Sequence, residues 1–579
     1  MSIEGDMSGV GNDEKVECDV LVIGSGAGGF AAAITARKLG LDVLMIEKQA
    51  CFGGTTALSG GWLWIPCNPP AQRAGIADSR DAARAYLKAE VGASYDPERI
   101  DAFLENGPRM VSFFERETAV AFLLGRDYPD YHPEQPGALP GGRAICAAPF
   151  DGRALGARLA QLRPPVRELT LFGLKVGSGP DFRHFSNALR SVRSALYVAG
   201  RICKHATDVL LHGRDMLLMS GNALVARLAK TAFDLGIPLW LRSPATRLCL
   251  SEGRVIGAVV MREGRSVTIS ARRAVVCAAG GFPHDPQLRQ RLYPHAPAEG
   301  EHYSLAAPGN TGDGLRMAVA AGGAIDESCS SAGSWMPVSR VPYRNGGFGV
   351  YPHSFERGKP GVIAVTVAGQ RFVNESNSYH DFVHGMLHAP LATRPAIAWF
   401  ICDATFIRRY GLGIAKPFPV PLRPYLRSGY LKCGATIAEL ARQTGIEVTV
   451  LEETVARFNG FALTGIDAEF GRGSNVYNRY HGDPSHGRGP NPCLAPIASA
   501  PFYAVRVLPG DLGTFTAVKT DRHARVLDAR DEAIAGLYAV GTDMAPIFGG
   551  SYPGPGSNLG PAMTFGFLAA EHIAGGVIP

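Results

Sequence analysis

The chain has 579 residues, 46% apolar and 19% charged, with a formal net charge of +6. This is the composition of a globular protein of about three to four domain equivalents, not of a disordered or fibrous chain. The small positive balance, without a zinc-finger or RNP-like pattern, gives no nucleic-acid partner, and no apolar stretch is long enough to span a bilayer.

Residues 1–16 are polar and acidic without an apolar h-region, so a disordered tail is expected rather than a signal peptide. The apolar run Val20-Leu21-Val22-Ile23 then leads into Gly24-Ser25-Gly26-Ala27-Gly28-Gly29 and an amphipathic segment, Phe30 to Leu39. Strand, glycine turn and helix form the setting in which G-x-G-x-x-G has mechanical meaning. Gly24 permits the tight turn, Gly26 lets backbone approach a pyrophosphate, and Gly29 allows close helix–strand packing. The helix N-terminus offers free N–H groups and partial positive charge to phosphates. A second run, Leu41 to Ile46, ends in Glu47, placed to take a ribose hydroxyl pair. An acid there suits FAD or NAD better than NADP. The loop Cys51 to Gly61, rich in Gly, Ser and Thr, follows and is suited to wrapping a cofactor; its alternative is an ordinary surface loop.

Residues 79–124 read as helical, with Ala83, Tyr86, Leu87, Phe103, Met110, Phe113 and Phe114 at helical spacing. A Pro/Gly/Tyr-rich loop is expected over 125–145. The stretch 165–216 is basic, carrying Lys175, Arg183, Arg190, Arg193, Arg201, Lys204 and Arg214 interleaved with apolar residues such as Leu189, Leu196, Ile202, Leu210 and Leu211. It reads as a basic amphipathic insertion able to lie on an anionic membrane, or as a helical hairpin packed on the body or on a second subunit. A helix follows at 219–235. Leu239 to Leu241, Thr246 to Ser251, Val255 to Met261 and Ser266 to Ser270 are expected as a small antiparallel sheet. Ala274 to Ala279 is a separate buried strand closing on Gly280-Gly281.

From about 301 to 504 the composition shifts to Gly, Pro and aromatic residues, with helices at Ile437 to Thr444 and Leu451 to Gly460. This is read as a second domain inserted into a first one formed by 17–300 and 505–579. The last segment returns to the first style, with a strand at Leu537 to Gly541 and a helix at Pro561 to Gly575. Eleven scattered cysteines without a C-x-x-C pair argue against disulfides, Fe–S clusters and structural zinc, so no metal is expected and a reducing cytoplasm is the natural location.

These motifs resemble the flavoprotein family that contains fumarate reductases and 3-ketosteroid dehydrogenases. The resemblance covers about 17–164 and 217–579. It rests on the Gly24 turn, Glu47, Gly53-Gly54-Thr55-Thr56, Ala278-Ala279-Gly280-Gly281, Asn310-Thr311-Gly312-Asp313-Gly314 and Tyr538-Ala539-Val540-Gly541. It implies an α/β fold, a Rossmann-like FAD-binding domain of the GR2 type with an inserted α+β catalytic domain. The implied FAD-binding positions are Gly24, Gly26, Ala27, Gly28, Gly29, Glu47, Lys48, Gly54, Thr55, Thr56, Ser59, Gly60, Gly61, Ala245, Ala279, Gly280, Asn310, Gly312, Asp313, Gly541, Thr542, Asn558 and Leu559. The loop at 53–61 has no His where the succinate dehydrogenase branch tethers its flavin, so FAD is expected to be non-covalent.

Three further strings separate the branches. Gly369 to Tyr379 resembles a shared G-x-R-F-x-N-E pattern, but Tyr379 stands where fumarate reductases place an Arg. The loop Ala545 to Gly566 has no Arg or Lys for a dicarboxylate. Its Tyr552-Pro553-Gly554-Pro555-Gly556 is similar to that of 3-ketosteroid Δ1-dehydrogenases, as is Pro129-Asp130-Tyr131. The resemblance implies a steroid substrate. Tyr552 O–H and the Gly556 N–H would bind the C3 oxygen, Tyr379 would take the C2 proton, and Tyr131 would support Tyr379. With no Fe–S ligands, electrons are expected to leave to a quinone or another diffusible acceptor. The insertion at 165–216 would then place the protein against the inner face of the cell membrane. The alternatives are a reductase of small unsaturated acids and a non-enzymatic, membrane-associated flavin-binding protein that passes electrons or assembles with a partner.

Overall fold

The computed structural model describes residues 15–177, 181, 184–185, 187–188, 191–389 and 396–575. Of the expected tail, Lys15 and Val16 already belong to a strand, and 1–14 lie outside the described residues.

A parallel sheet forms the first layer. Its order is Leu239–Trp240, Val43–Ile46, Lys15–Ile23, Arg265–Cys277 and Ala533–Ala539, every neighbouring pair parallel. Val20, Leu21 and Val22 are fully buried, as a central parallel strand requires. The helices Ala27–Lys38 and Leu559–Ala574 pack against each other through small residues: a Cβ on Gly566 would lie 2.5 Å from the Gly28 carbonyl. Gly24 has φ +114°, and a Cβ there would meet the Ala278 carbonyl at 2.1 Å, so only glycine makes this turn.

Three of the four strands expected as a small antiparallel sheet over 239–270 do pair antiparallel. Leu239–Trp240 is instead the parallel edge of the main sheet. The expected break between 270 and 274 is absent, and Arg265–Cys277 is one 13-residue strand. Its first half pairs antiparallel with Arg254–Arg262, which pairs with Ala245–Ser251, and its second half enters the parallel sheet. A bulge near Arg272 absorbs the polar interruption while the Arg272 guanidinium donates to Asp19 at 2.9 Å, so the strand continues.

The second large sheet is mostly antiparallel, in the order Phe348–Pro352, Gly333–Pro342, Phe502–Thr514, Ala398–Asp403 and Val362–Thr366. The strand Phe502–Thr514 runs across position 504. Helices Ile437–Thr444 and Val448–Thr464 cover this sheet through Leu440, Leu451 and Phe458. The second helix extends beyond the expected Leu451 to Gly460 at both ends.

The basic stretch buries polar residues and exposes apolar ones. In the helix Val192–His212 the buried residues are Ser194, Arg201 and Asp208. Arg201 pairs with Asp181 at 2.8 Å, Lys204 with Asp208 at 2.9 Å, and Tyr197 donates to Asp181 at 2.8 Å. Val192, Leu196, Leu210 and Leu211 face outward, 78%, 69%, 84% and 67% exposed, beside Phe172 at 91%. Arg201 turns inward to a carboxylate, while Lys204 stays at the surface. An amphipathic pattern gives two faces but not which one the body covers. Arg183, Leu189 and Arg190 lie outside the described residues. Among the described residues no helix is long and apolar enough to cross a membrane.

Candidate active site

One cavity of about 1770 Å³ reaches from the Gly24 turn to the three tyrosines singled out by the sequence. At its first end lies the start of the helix Ala27–Lys38. Gly26 caps it in extended conformation without a side-chain cap, and there is no acid in the first turn. Orphan N–H groups and the positive helix end therefore face no competing anion. The Ala27 N–H donates to Thr56 Oγ1 at 3.0 Å, locking the second glycine loop onto the first. Glu47 ends its strand with its carboxylate accepting from Ser25 Oγ at 2.6 Å and the Gln49 N–H at 2.9 Å. This donor set, a bare helix N-terminus with a carboxylate at the end of the second strand, fits a dinucleotide.

All but one of the expected cofactor positions line this cavity. The exception is Gly312, which sits at the N-cap of the helix Asp313–Ala320 in left-handed conformation, against Leu288 and Phe282. Lys48 is bound within the protein, by Asp313 and by Thr311 Oγ1 at 2.7 Å. The Thr55 hydroxyl accepts from the Ala307 N–H and from Asn310, both at 3.0 Å. The sequence reading missed Asp543. Its buried carboxylate accepts from the N–H groups of Ala279 at 2.5 Å and Gly281 at 2.9 Å, shaping the Gly280 loop. Burial pushes its pKa up to about 6 against those hydrogen bonds. An acid two residues after the Val540-Gly541 strand end was the available signal.

At the far end, three distant segments meet. Asp130 is buried, paired with Arg143 at 2.8 Å and accepting from Trp64 Nε1 at 2.8 Å, which fixes the loop carrying Tyr131. The Tyr131 N–H donates to the Pro553 carbonyl at 3.0 Å, so the P-D-Y and Y-P-G-P-G strings are joined directly. Tyr379 opens the helix Tyr379–His388, capped by Ser378, whose Oγ accepts from the Asp381 N–H. The segment before it is held by Arg371, which bridges Glu375 and Asp467, both at 2.8 Å, and by Arg472 on Glu375 at 3.1 Å. The Arg and Glu of the G-x-R-F-x-N-E string thus anchor the loop that leads to Tyr379.

The Tyr131 and Tyr379 hydroxyls are 3.3 Å apart. The Tyr552 ring stacks on Tyr131 with centroids 5.8 Å apart and meets Tyr379 edge-on at 5.3 Å. Gly556 has φ +100°, and a Cβ on it would lie 2.4 Å from the Trp62 carbonyl. Tyr131, Tyr379, Tyr552 and Gly556 all line the cavity. Tyr128, Tyr477 and Phe515, which the sequence reading passed over, complete the aromatic cluster. Enclosure pushes the Tyr379 and Tyr131 hydroxyls well above the ordinary tyrosine value, and Tyr552 to about 12. The hydrogen bond from Tyr131 works against that rise at Tyr379 but does not cancel it.

Met336, Tyr351, Phe355 and Phe418 add apolar surface to the cavity wall, while Trp335 is core and Phe348 is exposed. Val166, Leu169, Leu171 and Lys175 of the insertion close part of the wall, and Lys359, Arg408 and Lys416 also reach it.

Residues 19–559 match the family described as FAD binding domain. The chain is 40% identical to a 4-oxocyclohex-2-ene-1-carboxylate 5-dehydrogenase of Sinomonas cyclohexanicum, over 98% of this chain and 95% of that protein. It is 39% identical to a 3-oxosteroid 1-dehydrogenase of Mycobacterium tuberculosis, over 96% and 98%. Among solved structures, a 3-ketosteroid Δ1-dehydrogenase from Sterolibacterium denitrificans in complex with 1,4-androstadiene-3,17-dione superposes with a TM-score of 0.89 at 38% identity, covering 96% of this chain and 99% of that one. The chain belongs to the FAD-binding flavoprotein family that contains fumarate reductases and 3-ketosteroid dehydrogenases. It is an oxidoreductase with FAD as its cofactor.

Proposed function

We propose that this enzyme introduces the C1–C2 double bond into 3-ketosteroids. The observation that carries the reading is the meeting of Tyr131, Tyr379, Tyr552 and Gly556 on the wall of the cavity that the Gly24 turn opens. Tyr552 O–H and the Gly556 N–H hold the C3 oxygen and stabilise the enolate that develops as the C2 proton leaves. Tyr379 takes that proton, and Tyr131 donates to the phenolate form and lowers its cost. When bound, FAD supplies the hydride acceptor for C1. The aromatic enclosure excludes water, which strengthens both hydrogen bonds to the oxygen. Turnover of androst-4-ene-3,17-dione with an artificial electron acceptor should give the 1,4-diene. Recovery of unchanged steroid from FAD-loaded protein overturns the reading.

A second reading is favoured by Lys359, Arg408 and Lys416 on the cavity wall and by the Sinomonas relative. In it, the same chemistry acts on a monocyclic ring ketone bearing a carboxylate, which a cation would hold. Parallel assays of the steroid and of a 4-oxocyclohexenecarboxylate separate the two by their kcat/KM ratio.

Electrons leave to a quinone or another diffusible acceptor. The outward apolar face of the helix Val192–His212 rests on a bilayer, with Phe172 beside it. Leu196→Glu and Leu210→Glu should abolish co-sedimentation with anionic lipid vesicles, and equal sedimentation removes the membrane reading.

A further inference from the structure

Each of the three tyrosines has an immediate neighbour in one hydrogen-bonded cluster to which the chemistry above gives no role. His132 follows Tyr131, Asp381 lies two residues beyond Tyr379, and Ser551 precedes Tyr552. His132 Nδ1 is 2.7 Å from Glu90 Oε2, and its Nε2 is 2.9 Å from Asp381 Oδ2. Glu90 Oε2 also accepts from Ser551 Oγ at 2.9 Å. One turn earlier on Glu90's own helix, Arg80–Val91, the Tyr86 hydroxyl donates to the Pro553 carbonyl at 2.6 Å and accepts from the His132 N–H at 3.4 Å. Four segments that are distant in sequence are therefore joined in one cluster, in which the His132 ring contacts Glu90 and Asp381.

We propose that His132 is a positioning residue: by bridging Glu90 and Asp381 it sets the spacing of the segments that carry Tyr131 and Tyr379. The proposal rests on the tyrosine reading given above. Only the doubly protonated ring donates to both carboxylates. Burial lowers the His132 pKa, but the Asp381 charge and the hydrogen bonds to both acids outweigh it and hold it well above the ordinary histidine value. The same pairing overcomes burial at Asp381 and holds that carboxyl at about 2. The rise at Tyr379 comes from burial first and then from the neighbouring tyrosines. The contribution of His132 is therefore geometric. Ser551 keeps its bond to Glu90 when the ring is removed, so Tyr552 and the ketone site stay in place, while the Tyr379 segment loses the bond through Asp381 that sets its hydroxyl against Tyr131.

The test is the rate of anaerobic reduction of the bound flavin by androst-4-ene-3,17-dione, in wild type, His132→Ala, Asp381→Ala and the double variant. Steroid affinity is read separately by titration of 1,4-androstadiene-3,17-dione. His132→Ala should slow reduction about 30- to 100-fold, the size of loss that follows a misplacement of about 1 Å. Product affinity should stay within about threefold of wild type, and added imidazole should restore part of the rate. Asp381→Ala cuts the same link from the other side, so the double variant should be no slower than the worse single one. If His132→Ala fails to retain FAD, Asp381→Ala decides alone. Reduction within threefold of wild type in the variants, or additive losses without imidazole rescue, overturns the proposal. No reduction by steroid in FAD-loaded wild type instead overturns the steroid reading on which it rests.

Discussion

The two ends of the cavity are built by different means. At the nucleotide end the contacts come from backbone: a turn with φ +114° at Gly24 and a helix start left without a side-chain cap. At the tyrosine end they come from side chains on segments centred near 131, 379 and 552, joined through Pro553, Glu90 and His132. A backbone site is a local property, and one strand–turn–helix unit specifies it. A side-chain site assembled from remote segments needs a scaffold of buried charge to hold it. Asp130–Arg143 and Arg371–Glu375–Asp467–Arg472 are that scaffold.

Changes at the tyrosine end should abolish chemistry and spare the cofactor. The largest effect is expected for Tyr379→Phe and Tyr552→Phe: turnover falls by about a hundredfold to ten-thousandfold while flavin content stays at wild-type level. Near-normal turnover in either variant refutes its assigned role. The scaffold should show in stability. Glu375→Gln leaves Arg371 and Arg472 short of a buried anion and should cost about 3–5 kcal/mol, read from the denaturation midpoint. An unchanged midpoint means that the cluster does not carry the loop. Gly556→Ala tests a place where the tyrosine end depends on backbone. Its positive φ and the Trp62 carbonyl leave no room for a methyl group, and a loss of about 1–3 kcal/mol is expected.

The pH dependence follows from the direction of the tyrosine shifts. Tyr379 is raised, so the free enzyme holds it as the phenol at neutral pH. Proton abstraction needs the phenolate, so kcat/KM should climb by up to about tenfold per pH unit on the alkaline side. The raised hydroxyl also contributes stability that is complete below the unfolded value of about 10 and is lost as pH rises through the folded value. Activity should therefore rise with pH until unfolding cuts it off. A flat profile between neutral and alkaline pH refutes Tyr379 as the base. The smallest effect is expected far from both ends: Leu210→Glu on the exposed helix face should leave turnover of dissolved steroid unchanged, since surface changes of this kind stay within about 0.5 kcal/mol.

What the sequence made legible follows the same division. The Gly24 turn, Glu47 and the helices flanking them are local patterns, and the structure has them where periodicity put them. The tyrosines were found by motif, and their meeting is a tertiary fact that no spacing contains. Leu239–Trp240 was assigned to the wrong neighbour because its partner, Val43–Ile46, lies almost 200 residues away. The orientation of Val192–His212 stayed open because the pattern does not reveal that Asp181 draws Arg201 inward. Glu90 and His132 belong to no motif in the sequence. Their meaning appears only when the helix Arg80–Val91 is seen to lie behind the tyrosines.

The most direct measurement is rapid anaerobic mixing of the FAD-loaded protein with androst-4-ene-3,17-dione, following the visible absorbance of the flavin, with Tyr379→Phe in parallel and fumarate against chemically reduced protein as the control. The account predicts fast bleaching of wild type with formation of the 1,4-diene, slow or no bleaching of the variant, and no reoxidation by fumarate. Bleaching of wild type and variant at the same rate, or no bleaching by steroid together with reoxidation by fumarate, would contradict it.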